Sequence, residues 1–421
     1  MDPSVPSTLL VPVALLLLAA IAAACTDGRA TDDASPLPTA DSVVADPAVP
    51  ATSTTTGLDG NRVVEGRLHD GPVLQLEAGL VPEILVSAPL VGGHLLVASD
   101  REQVAAWVVR ADGVTAAPSD VVEGLGPPPA AGRPALVRDG AAWRFAPSTD
   151  PGDPDWDAPA GVVRRDGDRV TFGAAVVRDL LPDARWAVDG DRLAVPVRPT
   201  SEYGHAVLGD GVEAAGLALA DAATGEVEVV TFQPGVVLEG TGVLLADVDG
   251  DGRAEPVFTL TDPEVGARQA VLLDGEIVEG PPIGQGNRWR HLLGVDAGRI
   301  LEIVTPHLAR TFQVLELDGG TLAVTTSARG TLASHAIDSR DLDEALLVDA
   351  TGDGRADAIG PADGAPATLR IVAERDGSVV RQVGLPGRRV GNLTGFTLGD
   401  RAVVAAGSGD ATVLLLGLDR Q

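Results

Sequence analysis

From about residue 62 onward the chain alternates apolar stretches with turns, and one turn signal keeps returning. Asp-Gly between two strand-like runs is a hairpin cue, because a type I′ turn requires positive φ at both central residues. The cue stands at Asp70-Gly71, Asp112-Gly113, Asp166-Gly167, Asp274-Gly275, Asp318-Gly319 and Asp376-Gly377, with Thr224-Gly225 in the same role. Successive hairpins are 42, 54, 58, 50, 44 and 58 residues apart. Before most of them lies a second landmark, a Gly/Asp loop feeding a short apolar strand. It reads D-V-D-G-D-G-R-A-E-P-V-F from Asp247, V-D-A-G-R-I-L-E-I-V around Asp296, D-A-T-G-D-G-R-A-D-A-I from Asp349, and G-D-R-A-V-V-A-A around Asp400. Asp247 and Asp274 are 27 residues apart, and so are Asp349 and Asp376.

A period of this length with about four short strands per unit predicts an all-β chain folded as a β-propeller. Each unit has an apolar face that it cannot bury alone, so the blades must pack on one another. Dividing residues 62–421 by seven gives about 51 per blade, hence about seven four-stranded blades. Only two strands' worth of chain follows Asp400. The N-terminal run R-V-V-E-G-R-L-H-D-G-P-V-L-Q-L is therefore expected to form the hairpin that completes the last blade. A β-helix is disfavoured by the long repeat, and an array of sandwiches by the lack of linkers.

Charge narrows the partners. The 31 basic residues are all Arg and stand against 60 acids, for a net charge of −29. No basic stripe is present to neutralise phosphates, which argues against nucleic acid, and electrostatic attraction to anionic lipid is disfavoured too. The single cysteine, Cys25, excludes an intrachain disulfide and a Cys-based metal site. It ends the apolar run L-L-V-P-V-A-L-L-L-L-A-A-I-A-A-A-C. This segment resembles a bacterial lipoprotein signal, although Ala22 stands at −3 where Leu is usual and the run has no preceding Arg or Lys. The resemblance implies a lipidated Cys25, a membrane anchor and an extracytoplasmic location. Three parts are expected: a signal over 1–25, a disordered Thr/Pro/Ala-rich tether over 26–61, and the propeller over 62–421.

The stretch A-D-V-D-G-D-G-R-A-E-P places Asp247, Asp249, Asp251 and Glu255 at positions 1, 3, 5 and 9 of a loop, with Gly252 at position 6. Alternate side chains of such a backbone point the same way, so the carboxylates converge, and uncompensated they repel. Hard oxygen coordination of this kind suits calcium (Ca2+). An EF-hand is excluded, because Phe258 stands where its bidentate Glu is required. The motif is similar to the FG-GAP/VCBS repeat family, whose D-x-D-x-D-G-x-x-D loops bind calcium in propeller blades such as those of the integrin α-subunit head. That resemblance implies a first site from Asp247, Asp249, Asp251 and Glu255 with the Arg253 carbonyl. It implies a second from Asp349, Thr351, Asp353 and Asp357 with the Arg355 carbonyl. Thr351 replaces an acid, so the second site should bind more weakly. The loops at Asp296 and Asp400 look degenerate. Calcium in this setting is expected to be structural.

Catalytic motifs are not found. His69, His94, His205, His291, His307 and His335 show no H-E-x-x-H or paired ligand spacing. Ser408 in A-A-G-S-G-D reads as a turn, and Asn392 in N-L-T is discounted as a glycosylation site. Arg288, Trp289, Arg290 and His291 read as an inter-blade connection, with a binding surface as the alternative. A membrane-anchored, calcium-stabilised binding or scaffolding module follows, a monomer with a protein or glycan ligand on a propeller face. The alternative is an extracytoplasmic carbohydrate-active hydrolase or lyase with its site in the channel.

Overall fold

Runs of Val, Leu and Ala punctuated by glycines at positive φ make strands that are short and turns that are tight. The computed structural model describes residues 60–126, 161–205, 207–209, 211–335, 342–362 and 367–418, with the strands 52–53, 135–139, 142–146 and 156–158. Cys25, the signal segment and nearly all of the tether lie outside the described residues. Among the described residues, no helix is long and apolar enough to cross a membrane.

One unit recurs, a four-stranded antiparallel meander whose strands pair in chain order. It is formed by Ile84–Leu90, Gly93–Ser99, Val104–Arg110 and Gly113–Ala116. It recurs over 156–178, 187–231, 290–328 and 346–384. Leu244–Ala246, Glu255–Thr261, Arg268–Leu273 and Glu276–Glu279 repeat it again. Arg389–Leu398, Arg401–Ser408 and Thr412–Leu416 form a three-stranded version. A further sheet pairs Thr52–Ser53, Ala135–Asp139 and Ala142–Ala146. The short strand Val237–Leu238 pairs with both Glu213–Asp221 and Glu255–Thr261, joining two meanders into one nine-stranded sheet. The chain is an all-β protein of the β-propeller class.

The core lies between successive sheets. Val257, Val271, Val295, Ile300 and Leu315 join the 244–279 meander to the next. Leu301, Ile303, Phe312, Leu347 and Ala358 join that one to 346–384. Burying side chains such as Phe258 and Phe312 completely contributes roughly 1.5–3 kcal/mol each. Glu255–Thr261 is buried along its whole length, whereas the fourth strand Val227–Thr231 is mostly exposed. Strands covered on both faces lose the alternating pattern, so turns rather than hydrophobic alternation carried the sequence signal.

Most Asp-Gly pairs turn the third strand into the fourth, as at Arg110↔Gly113, Leu273↔Glu276 and Asp318↔Thr321. Asp166-Gly167 instead joins the second and third strands of its meander. At the N-terminus the expected hairpin does not form. Leu74–Glu77 alone pairs antiparallel with Thr412–Leu416 and adds a fourth strand to the last sheet. Val63–Arg67 runs parallel to Leu346–Asp349, with Val63 opposite Leu347 and Val64 opposite Val348, and Arg67 meets Arg401. Residues 60–68 thus cross the first strands of several meanders. Asn61 donates to the Val295 carbonyl at 2.7 Å and accepts from its amide at 2.9 Å. Thr397 donates to the Glu65 carbonyl at 2.8 Å, and Leu68 N donates to Asp349 O at 2.7 Å. First strands carry unpaired edges toward the axis of a propeller, and this segment supplies partners for them.

The first meander packs on the last through Leu85, Leu96, Trp107, Phe396, Val403 and Leu415. His94 stacks on Phe396 at 4.5 Å. Burial holds its imidazole at a pKa of about 4, against a hydrogen bond to the Thr397 backbone.

Candidate functional site

The two acidic loops have the same local construction. Asp247 accepts from the Gly250 amide (2.7 Å) and the Gly252 amide (3.0 Å), and Asp249 accepts from Asp251 N (3.0 Å). Asp251 accepts from Arg253 N (2.8 Å) and Glu255 from Val248 N (2.9 Å). In the twin, Asp349 accepts from Gly352 N (2.6 Å) and Gly354 N (3.1 Å), and Asp353 from Arg355 N (3.0 Å). Gly252 and Gly354 sit at φ of 87° and 80°, where a side chain is strained, so position 6 requires glycine.

The loops differ in what their carboxylates face. In the first, oxygens of Asp247, Asp249 and Glu255 lie within 4.8 Å of one another. Asp251 is not in that group; its carboxylate turns to the Arg253 amide. Burial raises the Glu255 pKa, and repulsion from Asp249, Asp251 and Asp247 adds to it, against the Val248 amide. Asp247, Asp249, Gly250 and Gly298 border an open cleft of about 730 Å³ that also reaches Asn61 and Asp189. Such a cluster is a costly arrangement that a divalent cation relieves.

In the second loop, Asp357 is consumed by amides. It accepts from Ala350 N (3.0 Å), Thr351 N (2.8 Å) and Glu374 N (3.0 Å). Guanidinium groups of the chain itself stand beside this loop. A Cβ at Gly352 would collide with the Arg67 guanidinium, and Arg355 donates to Glu374 at 3.1 Å. Glu374 also pairs with Arg299 (3.1 Å), which pairs with Asp296 (2.6 Å). The degenerate Asp296 loop is therefore tied to the second acidic loop by ion pairs.

A second constellation escaped the sequence reading. Trp289 stacks on His291 (centroids 5.1 Å apart) and lies 5.1 Å from His335, which is 5.0 Å from His307. His205 pairs closely with the buried Glu239, whose pKa burial raises against that pairing. Tyr203, whose pKa burial pushes up to about 12, accepts from Thr261 at 3.2 Å. Three histidines, His291 on a strand and His307 and His335 outside the strands, meet around Trp289, whose indole also donates to the Glu239 carbonyl at 3.4 Å, so no local spacing reveals them. The one sequence hint was Arg288-Trp289-Arg290-His291, of which Arg288 is partly exposed. The other three are buried, and Arg290 and His291 open the first strand of the 290–328 meander, so they form neither a connection nor an exposed surface. Ser408 accepts from Gly387 N at 2.9 Å, in keeping with a turn-stabilising role, and Asn392 is buried.

No protein-family model matches the chain, and no curated protein matches it. Among solved structures it is similar to BamB from Moraxella catarrhalis, at 12% identity and a TM-score of 0.41, covering 83% of this chain and 100% of that one. It is similar to the quinohemoprotein alcohol dehydrogenase ADHIIG from Pseudomonas putida HK5, at 11% identity and a TM-score of 0.48, covering 88% and 80%. The β-propeller domain of Myceliophteria thermophila Cps50 (Swd1) gives 13% identity and a TM-score of 0.36, covering 82% and 98%. These are likenesses of fold and carry no activity with them; the propeller assignment rests on this chain's own repeated meanders.

Proposed function

We propose that the chain is an extracytoplasmic, lipid-anchored β-propeller that acts as a calcium-stabilised binding or scaffolding module of FG-GAP/VCBS type. A protein or glycan would dock on a propeller face. The observation that carries the calcium reading is the convergence of Asp247, Asp249 and Glu255 within 4.8 Å. The second loop, with Thr351 in place of an acid and guanidinium groups beside it, is the weaker site. The role is structural, since the loop joins two buried strands.

Calcium at 100 times its dissociation constant stabilises the fold by about 2.7 kcal/mol, which raises the melting temperature by on the order of 5 °C. Asp249→Asn should abolish most of that shift and Asp353→Asn little of it. A melting curve that ignores both calcium and EDTA sinks the metal reading. Affinity should weaken on acidification, because Glu255, whose pKa burial raises, takes up a proton and ceases to be an anionic ligand.

The anchor is tested separately. Cys25→Ser should move the protein from the membrane to the soluble fraction, and unchanged fractionation overturns lipidation. The alternative, a carbohydrate-active hydrolase or lyase, has one observation in its favour: Glu239, paired with His205, accepts at its carbonyl from Trp289, which packs against His291 and His335. Those groups are engaged with one another, and residues 60–68 already lie along the first strands, so the binding reading is preferred.

A further inference from the structure

We propose that Arg62 and His291 form a proton-sensitive latch that holds residues 60–68 across the first strands and releases them on acidification. Arg62 is buried and forms an ion pair with the buried Asp343 at 2.9 Å. Its Nη1 lies 3.3 Å from His291 Nε2, and His291 Nδ1 lies 2.8 Å from Ser334 Oγ. A guanidinium can only donate. His291 Nε2 must therefore accept, which assigns the ring proton to Nδ1 and directs it at Ser334. A second proton can enter only at Nε2, on the lone pair that Arg62 occupies. Proton and latch compete for one site.

The surroundings sharpen that competition. The charged and titratable groups facing His291 are Arg62, His335, Arg185 and His307, and all of them oppose an imidazolium there, in addition to burial itself. Trp289 covers one face of the ring. Asp343 is already engaged by Arg62, and Glu344 beside it is held by Arg389 at 2.8 Å. Residues 60–68 are the part that can leave. The meanders keep their own antiparallel ladders, whereas this segment is held by one short parallel ladder with Leu346–Asp349, the Asn61–Val295 pair and bonds such as Arg67 N to Asp400 O (3.0 Å).

The sign follows from linkage. The closed state keeps His291 neutral, while the open state, in which Arg62 has left Nε2, can bind a proton there. Opening is therefore favoured by up to tenfold for each pH unit below about 6.5, or up to roughly thirtyfold at pH 5.0 relative to pH 7.5, the ceiling being set by an unhindered histidine. Hydrogen exchange of the full chain, corrected for intrinsic rates, tests this. In the wild type, protection over 60–68 should fall severalfold, and by at most about thirtyfold, at pH 5.0, while 257–273 changes little. In His291→Gln, whose amide oxygen still accepts from Arg62 but does not titrate, protection should be the same at both pH values. An unchanged 60–68 in the wild type overturns the latch, and so does a loss spread evenly over all sheets; neither outcome requires the variant to fold. An equal acid response in His291→Gln also overturns it and shifts the effect to another group, such as His94.

Discussion

Replacing Glu302 by alanine is expected to destabilise the protein by about 3–5 kcal/mol. Glu302 is fully buried in the second strand of the 290–328 meander. Arg290 donates to its Oε1 at 2.6 Å and Gln269 to its Oε2 at 2.8 Å. Gln269 belongs to the preceding meander and accepts from Thr259 at 3.1 Å, so the carboxylate joins two sheets. Arg290 also donates to the Ala267 carbonyl (3.0 Å) and the Pro281 carbonyl (2.7 Å). Without Glu302 the guanidinium keeps those neutral partners but loses its counter-charge in a buried site. Removing both charges, as Arg290→Met with Glu302→Leu, should recover most of the loss, because the desolvation of the pair is then removed as well. Chemical denaturation measures both; a single-variant loss below about 1 kcal/mol would show the site to be better solvated than its burial implies.

Asn392→Ala should cost about 2–4 kcal/mol. The Asn392 side chain imitates a strand. Its Oδ1 accepts from Leu85 N at 2.9 Å, and its Nδ2 donates to Leu85 O at 2.7 Å. It does so where the register of Arg389–Leu398 shifts between Val390 and Leu393. Leu85 is completely buried, so alanine would leave its amide and carbonyl without partners or water. Asn392→Asp should fare no better, since it keeps the acceptor, loses the donor and introduces a buried charge. The denaturation midpoint and the exchange rate of the Leu85 amide check this, and a loss under about 0.5 kcal/mol would contradict it.

Asn61 performs the same imitation on Val295, again beside a register shift, between Leu292 and Gly294. Neither asparagine stands out in the sequence. Asn392 drew notice only within N-L-T, a reading its burial now disfavours. What makes each of them matter is a partner 234 or 307 residues away.

The distinction explains which features could be read from the chain. The repeat, the turns and the acidic loops depend on residues within a few positions of one another. A glycine at positive φ and an aspartate accepting from amides two to five residues on are fixed before any sheet packs. Hence the loops at Asp247 and Asp349 were legible, down to their shared geometry. That only the first draws three carboxylates together was not. The second is altered by Arg67 from the N-terminal strand and by Glu374 and Arg299 from elsewhere, and no local pattern encodes their approach.

The sequence by itself therefore determined the class of fold, most of the tight turns and the internal hydrogen bonding of two loops, because these rest on backbone preference and short-range hydrogen bonding. The tertiary structure alone decided the placement of Val63–Arg67 along Leu346–Asp349, which the Asp70-Gly71 turn signal had assigned to a hairpin. It alone decided the meeting of Arg62 with His291 and the pairing of Arg290 with Glu302. The physical reason is that exposed strand edges and buried charges take whichever partner the packed chain brings within reach, and sequence distance does not limit that choice.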